Sequence, residues 1–145
     1  MAIVSVTRVR LRSVTFLPRF LWLNERVMRQ VVKAPGFHEG KLLLDARLTF
    51  WTMTSWDNEA SMRAYRDAGA HRAAMPKMAP WCDEASTVQF PDRADLPTWD
   101  EAHAQILSRG RASKLRHPSP HHSSLQFPPI RWRFIARKLV SVGGR

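Results

Sequence analysis

The chain is expected to fold as an α+β domain of ferredoxin-like β-α-β-β-α-β order, and three features of its 145 residues carry that expectation. A period-2 run opens the chain, a helical period follows it, and a strand pair, a capped helix and a fourth strand come next. In Ala2 to Leu11, Ile3, Ser5, Thr7, Val9 and Leu11 fall on one face and Val4, Val6, Arg8 and Arg10 on the other, which is a strand pattern rich in β-branched residues. From Phe16 to Val32 the period lengthens: Phe16, Phe20, Leu23, Val27 and Val31 share one helical stripe, with Thr15 as cap and Pro18 tolerated in the first turn. That helix is expected to end before Ala34-Pro35-Gly36. Trp22 projects away from the stripe among Arg26, Arg29 and Lys33, either as a cation–π surface residue or as part of a second contact surface.

Phe37 to Leu44 reads as the second strand, Asp45-Ala46 as a turn and Arg47 to Trp56 as the third strand. Leu48 and Phe50 fall on one face of this strand and Trp51 and Met53 on the other, while Leu42, Leu43 and Leu44 do not alternate at all. An antiparallel sheet with one wet face alternates cleanly, so both faces of this one need a cover. Helices supply one cover, and the sheet of an identical chain is the cheapest second one, which predicts a homodimer. Asp57 is placed to cap a helix over 58–68 with Gly69 as its stop. Residues 70–75 start a further turn or two, limited by Pro76 and Pro80, and 85–90 is the fourth strand. Thr98 to Ser108 is a capped helix with Trp99, His103 and Ile106 or Leu107 on its apolar side. This divides the chain into a domain at 1–91, a helical extension at 92–108 and a basic Pro/Ser-containing tail at 109–145 that docks on the body or stays disordered.

Composition narrows the functional classes. A single cysteine, Cys82, allows no intrachain disulfide and no Cys-rich zinc site, which fits a reducing compartment and makes the cytoplasm the expected location. Cys82 has no base beside it in sequence and reads as inert. The net charge of +11 is concentrated at the end of the chain, since 102–145 carries nine Lys and Arg and no acid. Binding to nucleic acid or an anionic membrane surface would therefore rest on that tail, with Phe127, Trp132 and Phe134 interleaved among its cations. His117, His121 and His122 lie on a Pro/Ser segment with no rigid scaffold of its own, and no metal site is assigned to them.

The stretch Trp56-Asp-Asn-Glu-Ala-Ser-Met-Arg-Ala-Tyr65, continuing to Gly69-Ala-His71-Arg, resembles the dimeric α+β barrel superfamily, notably antibiotic-biosynthesis monooxygenase-type domains. Its Gly-Ala-His variant is most similar to spheroidene monooxygenase-like proteins, and the resemblance spans residues 2 to 90. It implies a homodimer whose sheets form a barrel, with a pocket between sheet and helices in each subunit. It also implies one of several activities: cofactor-free quinone-forming oxygenation, haem-linked oxygenation, or none. The axial histidine of haem-degrading members is not matched, because the count from Tyr65 arrives at Met75.

His71 and Arg47 are the candidate catalytic residues, as base and as anion-stabilising donor. Trp51, Trp56 and Tyr65 would give flat walls for a polycyclic or isoprenoid substrate, and Asn24 would add a polar contact. Met75 and Met78 share the face of His71 if the helix passes Pro76; the same face could hold haem iron, or His71 could be a structural residue at a helix start with methionines as core filler. The expectation is a monooxygenase-like enzyme, cofactor-free or haem-linked. The alternatives are a non-catalytic binding dimer of the same fold and a polyanion or membrane-surface binder acting through the tail.

Overall fold

The computed structural model describes residues 1–133 and 135–142, so Phe134 and the last cation, Arg145, lie outside the described residues. Strands β1 (Ile3–Leu11), β2 (Phe37–Asp45), β3 (Thr49–Trp56) and β4 (Cys82–Pro91) form the antiparallel centre of a six-stranded sheet. Short β5 (Arg111–Ala112) and β6 (Ile135–Val140) extend it at the two edges, in the order β5-β4-β1-β3-β2-β6. Helices α1 (Leu17–Val31), α2 (Glu59–Arg66), α3 (Gly69–Trp81) and α4 (Trp99–Arg109) complete the chain. The order from β1 to β4 is the ferredoxin-like one expected from the sequence pattern.

Several boundaries move for identifiable reasons. Asn58, not Asp57, caps α2, its side chain accepting from the Ser61 N–H at 2.8 Å. Ser13, not Thr15, caps the short 3₁₀ turn that leads into α1. Gly69 opens α3 rather than closing α2: its φ of +55° makes the sharp link between the helices that a residue with a Cβ would strain to adopt. The helix α3 continues through Pro76 and Pro80, which remove two N–H donors without ending it. The β2–β3 turn is longer than expected, with Arg47 at φ +61° and Leu48 at +59°.

The two apolar faces are real, and each has its cover. Phe50, Trp56 and Leu42 face α1, α2 and α3, where Phe20, Val27, Val31 and Met62 are buried. On the opposite face, Val4, Val6, Leu43, Trp51, Met53 and Val88 pack against Ala102 and Ile106 of α4 and against Phe127 and Ile130. The premise that a second copy must shield this face is therefore corrected, because the chain's own C-terminal extension shields it.

Polar groups fasten the extension in place. Arg8 and Glu84 are paired beneath it at 2.7 Å, both almost wholly buried, and Ser119 Oγ donates to the other Glu84 oxygen at 2.7 Å. The guanidinium of Arg8 lies 3.9 Å from the Phe127 ring centroid. Asp45 Oδ1 accepts from the backbone N–H groups of Arg131 and Trp132 at 3.0 and 2.9 Å. His122 is buried between the Ala85 N–H, which it accepts, and the Ser113 carbonyl, to which its Nε2 donates. The described part of the tail is docked, and Arg137 pairs with Glu25 on α1. Trp22 is 61% exposed with the Arg26 guanidinium 4.9 Å from its ring, the cation–π arrangement.

Candidate active site

Between the sheet and helices α1 to α3 lies a cavity of about 340 Å³. Its walls come from the helices: Phe20, Leu23, Asn24 and Val27 from α1, Met62 and Tyr65 from α2, and His71, Met75 and Met78 from α3. The i, i+4, i+7 spacing of His71, Met75 and Met78 survives because α3 is continuous past Pro76. Met75 and Lys114 line the cavity and are exposed, so it reaches the surface there. No Asp or Glu lines it among the described residues.

His71 is held at three points. Its Nδ1 lies 3.0 Å from the Arg66 carbonyl, an acceptor, so Nδ1 carries the proton and Nε2 keeps the lone pair when the ring is neutral. Its backbone N–H donates to Gln30 Oε1 at 2.8 Å, and its ring packs against Tyr65 with centroids 4.9 Å apart. Burial lowers its pKa from the ordinary value, against the hydrogen bond to Arg66, which raises it. Near pH 7 the ring is therefore a neutral base. Burial pushes the Tyr65 phenol well above its ordinary range, so that hydroxyl stays protonated.

Gln30 is the residue that positions this corner, and sequence reasoning passed over it. Its Nε2 donates to the carbonyls of Tyr65 and Ala68 at 3.1 and 2.8 Å while its Oε1 receives the His71 N–H. One side chain of α1 thus ties the end of α2 to the start of α3.

The expected site residues divide into two groups. His71, Tyr65, Met75 and Asn24 meet in the cavity. Trp56 is fully buried behind it, its ring 5.1 Å from that of Tyr65, as a second layer. Trp51 is also fully buried but on the opposite face of the sheet, against Trp99 and His103, because adjacent strand residues point opposite ways. Arg47 is exposed in the β2–β3 turn beside Asp45, Pro128 and Arg131, away from the cavity. Neither Trp51 nor Arg47 lines it. Cys82 is buried with its thiol pushed up to about 12, chiefly by burial, and is unreactive.

Sequence reasoning also missed the floor. Ser5 and Thr7 of β1, Thr52 and Thr54 of β3, and Thr87 and Gln89 of β4 line the cavity beneath the helices, and Ser113 to Leu115 of the extension close one side. The signal lay in the i, i+2 polar pairs of three strands, Ser-Val-Thr, Thr-Met-Thr and Thr-Val-Gln.

Residues 17–77 match the family described as Antibiotic biosynthesis monooxygenase. The matched stretch runs from α1 into α3 and so includes His71, Tyr65 and the other named helical wall residues except Met78. No curated protein matches the chain significantly. Among solved structures, a conserved protein from Methanosarcina mazei is similar at 14% identity and a TM-score of 0.57, covering 64% of this chain and 94% of its own. SnoaB, a cofactor-independent oxygenase from Streptomyces nogalater, is similar at 17% identity and a TM-score of 0.51, covering 67% and 98%. A dimeric ferredoxin-like protein of unknown function from Thermobifida fusca is similar at 23% identity and a TM-score of 0.51, covering 62% and 90%. These likenesses establish a ferredoxin-like α+β fold. Among the described residues no helix is long and apolar enough to cross a membrane.

Proposed function

We propose that this chain is a cofactor-free monooxygenase acting on a hydrophobic, polycyclic or isoprenoid small molecule in the cavity beneath α1 to α3. The observation that carries the reading is a neutral histidine, its proton fixed on Nδ1 by the Arg66 carbonyl, on the wall of a cavity roofed by apolar side chains and lined by no carboxylate among the described residues. Nε2 of His71 takes the proton of a phenolic substrate, and the resulting electron-rich anion reduces dioxygen itself. In the net reaction the phenol loses its O–H hydrogen and one ring hydrogen. One oxygen atom is added at that carbon as a carbonyl, and the other leaves as water. All the electrons come from the substrate. Donors to the developing anion are sought in Asn24 and the floor hydroxyls, since the placement of Arg47 gives no support to that role.

For assembly, the reading departs from the homodimer expected from the two apolar faces. The extension covers the face that a second sheet was expected to cover, and the cavity lining named above comes from this one chain. Dioxygen uptake with a polycyclic dihydroxyarene, followed by quinone absorbance, tests the activity. His71→Ala should lower the rate about 10² to 10⁴-fold, and a rate indifferent to that change rejects His71 as base. The haem-linked variant predicts a Soret band on adding haem that His71→Ala abolishes.

A further inference from the structure

The cavity has an apolar roof and a polar floor, and the floor follows the strand register. Thr7 lies opposite Thr52 on one side and Thr87 on the other, and Ser5 lies likewise between Thr54 and Gln89. The flanking row is apolar, with Val9 between Phe50 and Ala85. A sheet centre covered by helices is ordinarily apolar, because a hydroxyl taken from water needs a replacement partner. Thr54 has one, accepting from Trp56 Nε1 at 2.8 Å. Ser5, Thr7, Thr52 and Thr87 are half-buried, and among the described residues no hydrogen bond satisfies their hydroxyls, which are left to whatever fills the cavity. All four line the cavity.

From this we infer that the floor is a recognition surface for the oxygen atoms of the ligand, with Thr7, Thr52 and Thr87 as its specificity-determining row. The inference rests on the proposal that the cavity is a small-molecule site, and it narrows the substrate class. Hydroxyls recur about 5 Å apart across the strands and about 7 Å along them. A flat ligand with carbonyl or hydroxyl groups on one edge satisfies that spacing while its carbon frame meets Phe20, Val27 and Met75. An isoprenoid hydrocarbon covers the same hydroxyls and strands them without partners, at about tenfold in affinity for each. Of the two substrate types, the floor selects the oxygenated one.

The test is calorimetric binding of two probes sharing one carbon frame, 1,8-dihydroxyanthraquinone and anthracene, with farnesene as the isoprenoid hydrocarbon. The intact chain should bind the quinone at least tenfold more tightly than either hydrocarbon. In Thr7→Val, Thr52→Val and Thr87→Val, singly and together, that preference should shrink, to near parity in the triple variant. Valine keeps shape and strand propensity, and each single variant stands as a test if the triple does not fold. No preference in the intact chain, or a preference unchanged in every valine variant, overturns the inference. The quinone probe is already oxidised and needs no turnover, so failure of the oxygenase reading is separable from failure of this one.

Discussion

Phe127→Ala is the sharpest test of how the sheet's second face is covered. Phe127 is 4% exposed, packs in the cluster containing Val6, Leu43, Trp51 and Ile106, and lies 3.9 Å beneath the guanidinium of Arg8. Truncating a buried Phe to Ala costs about 3 to 5 kcal/mol where the surroundings cannot collapse, and the cluster here is pinned between strands and α4. The lost contact with a desolvated Arg8 adds up to about 2 kcal/mol. The expected destabilisation is thus about 4 kcal/mol or more in urea at pH 7 with an unchanged m-value, and Phe127→Leu should recover most of it. Light scattering on the intact protein should give the mass of one 16.7 kDa chain. A loss under about 1 kcal/mol, together with a dimer mass, would refute the reasoning: a second copy would then hold the face from which Phe127 had been displaced.

Three further outcomes follow from the site and its supports. With the His71 pKa lowered by burial, the base is neutral above its folded value, so the acid limb of kcat/KM should fall below about pH 6.5 and the rate stay level from there to pH 8; a limb above 7 excludes His71. Gln30→Ala, which unties three backbone groups at the α2–α3 link, should lower kcat more than it raises KM and broaden the His71 ring resonances, whereas a purely structural role would lower stability and leave both unchanged. Burial pushes the Glu84 carboxyl up, but its hydrogen bonds from Arg8 and Ser119 and the charges of Arg8 and Arg10 outweigh this and hold it below the ordinary value. That stability is present above about pH 4.3 and is lost as pH falls through the folded pKa, so Glu84→Gln should flatten the acid drop in urea melts. The same change should cost about 3 to 5 kcal/mol at pH 7 by leaving Arg8 buried and unpaired, and a cost near zero would rule out the buried pair.

The fold was legible because its signals are local. A period of two over residues 3–11 and a 3.6-residue period over 16–31 identify β1 and α1 without help from the rest of the chain. Thr98 as the cap of α4 follows from a side-chain oxygen three residues before the N–H it accepts, and the structure gives that bond at 3.1 Å. The site was half legible. His71, Met75 and Met78 are spaced to share a helix face, but Trp51 and Phe50 are adjacent in a strand apolar on both faces. Which of them meets the helices depends on register and cover, and both of these are long-range. Arg47 fails for a similar reason: two left-handed residues in the β2–β3 turn carry it away from the strand to which pattern reading assigned it. Gln30 carries no signature at all, since its three partners are backbone groups 35 to 41 residues away.

The match to residues 17–77 ends inside α3, and this bounds what the family likeness can explain. It includes His71, Tyr65 and the Thr52 and Thr54 part of the floor, the pieces a proton-abstracting site needs. Ser5 and Thr7 lie before it, and Thr87, Gln89 and Ser113 to Leu115 lie after it. The last of these belong to the same extension that seats Phe127 on the far face. One segment therefore both covers the sheet's second face and closes a side of the cavity, so changes in the extension should alter which ligand fits while leaving His71 in place. Of the row proposed to set specificity, Thr7 and Thr87 lie outside the stretch that carries the family resemblance and Thr52 lies within it.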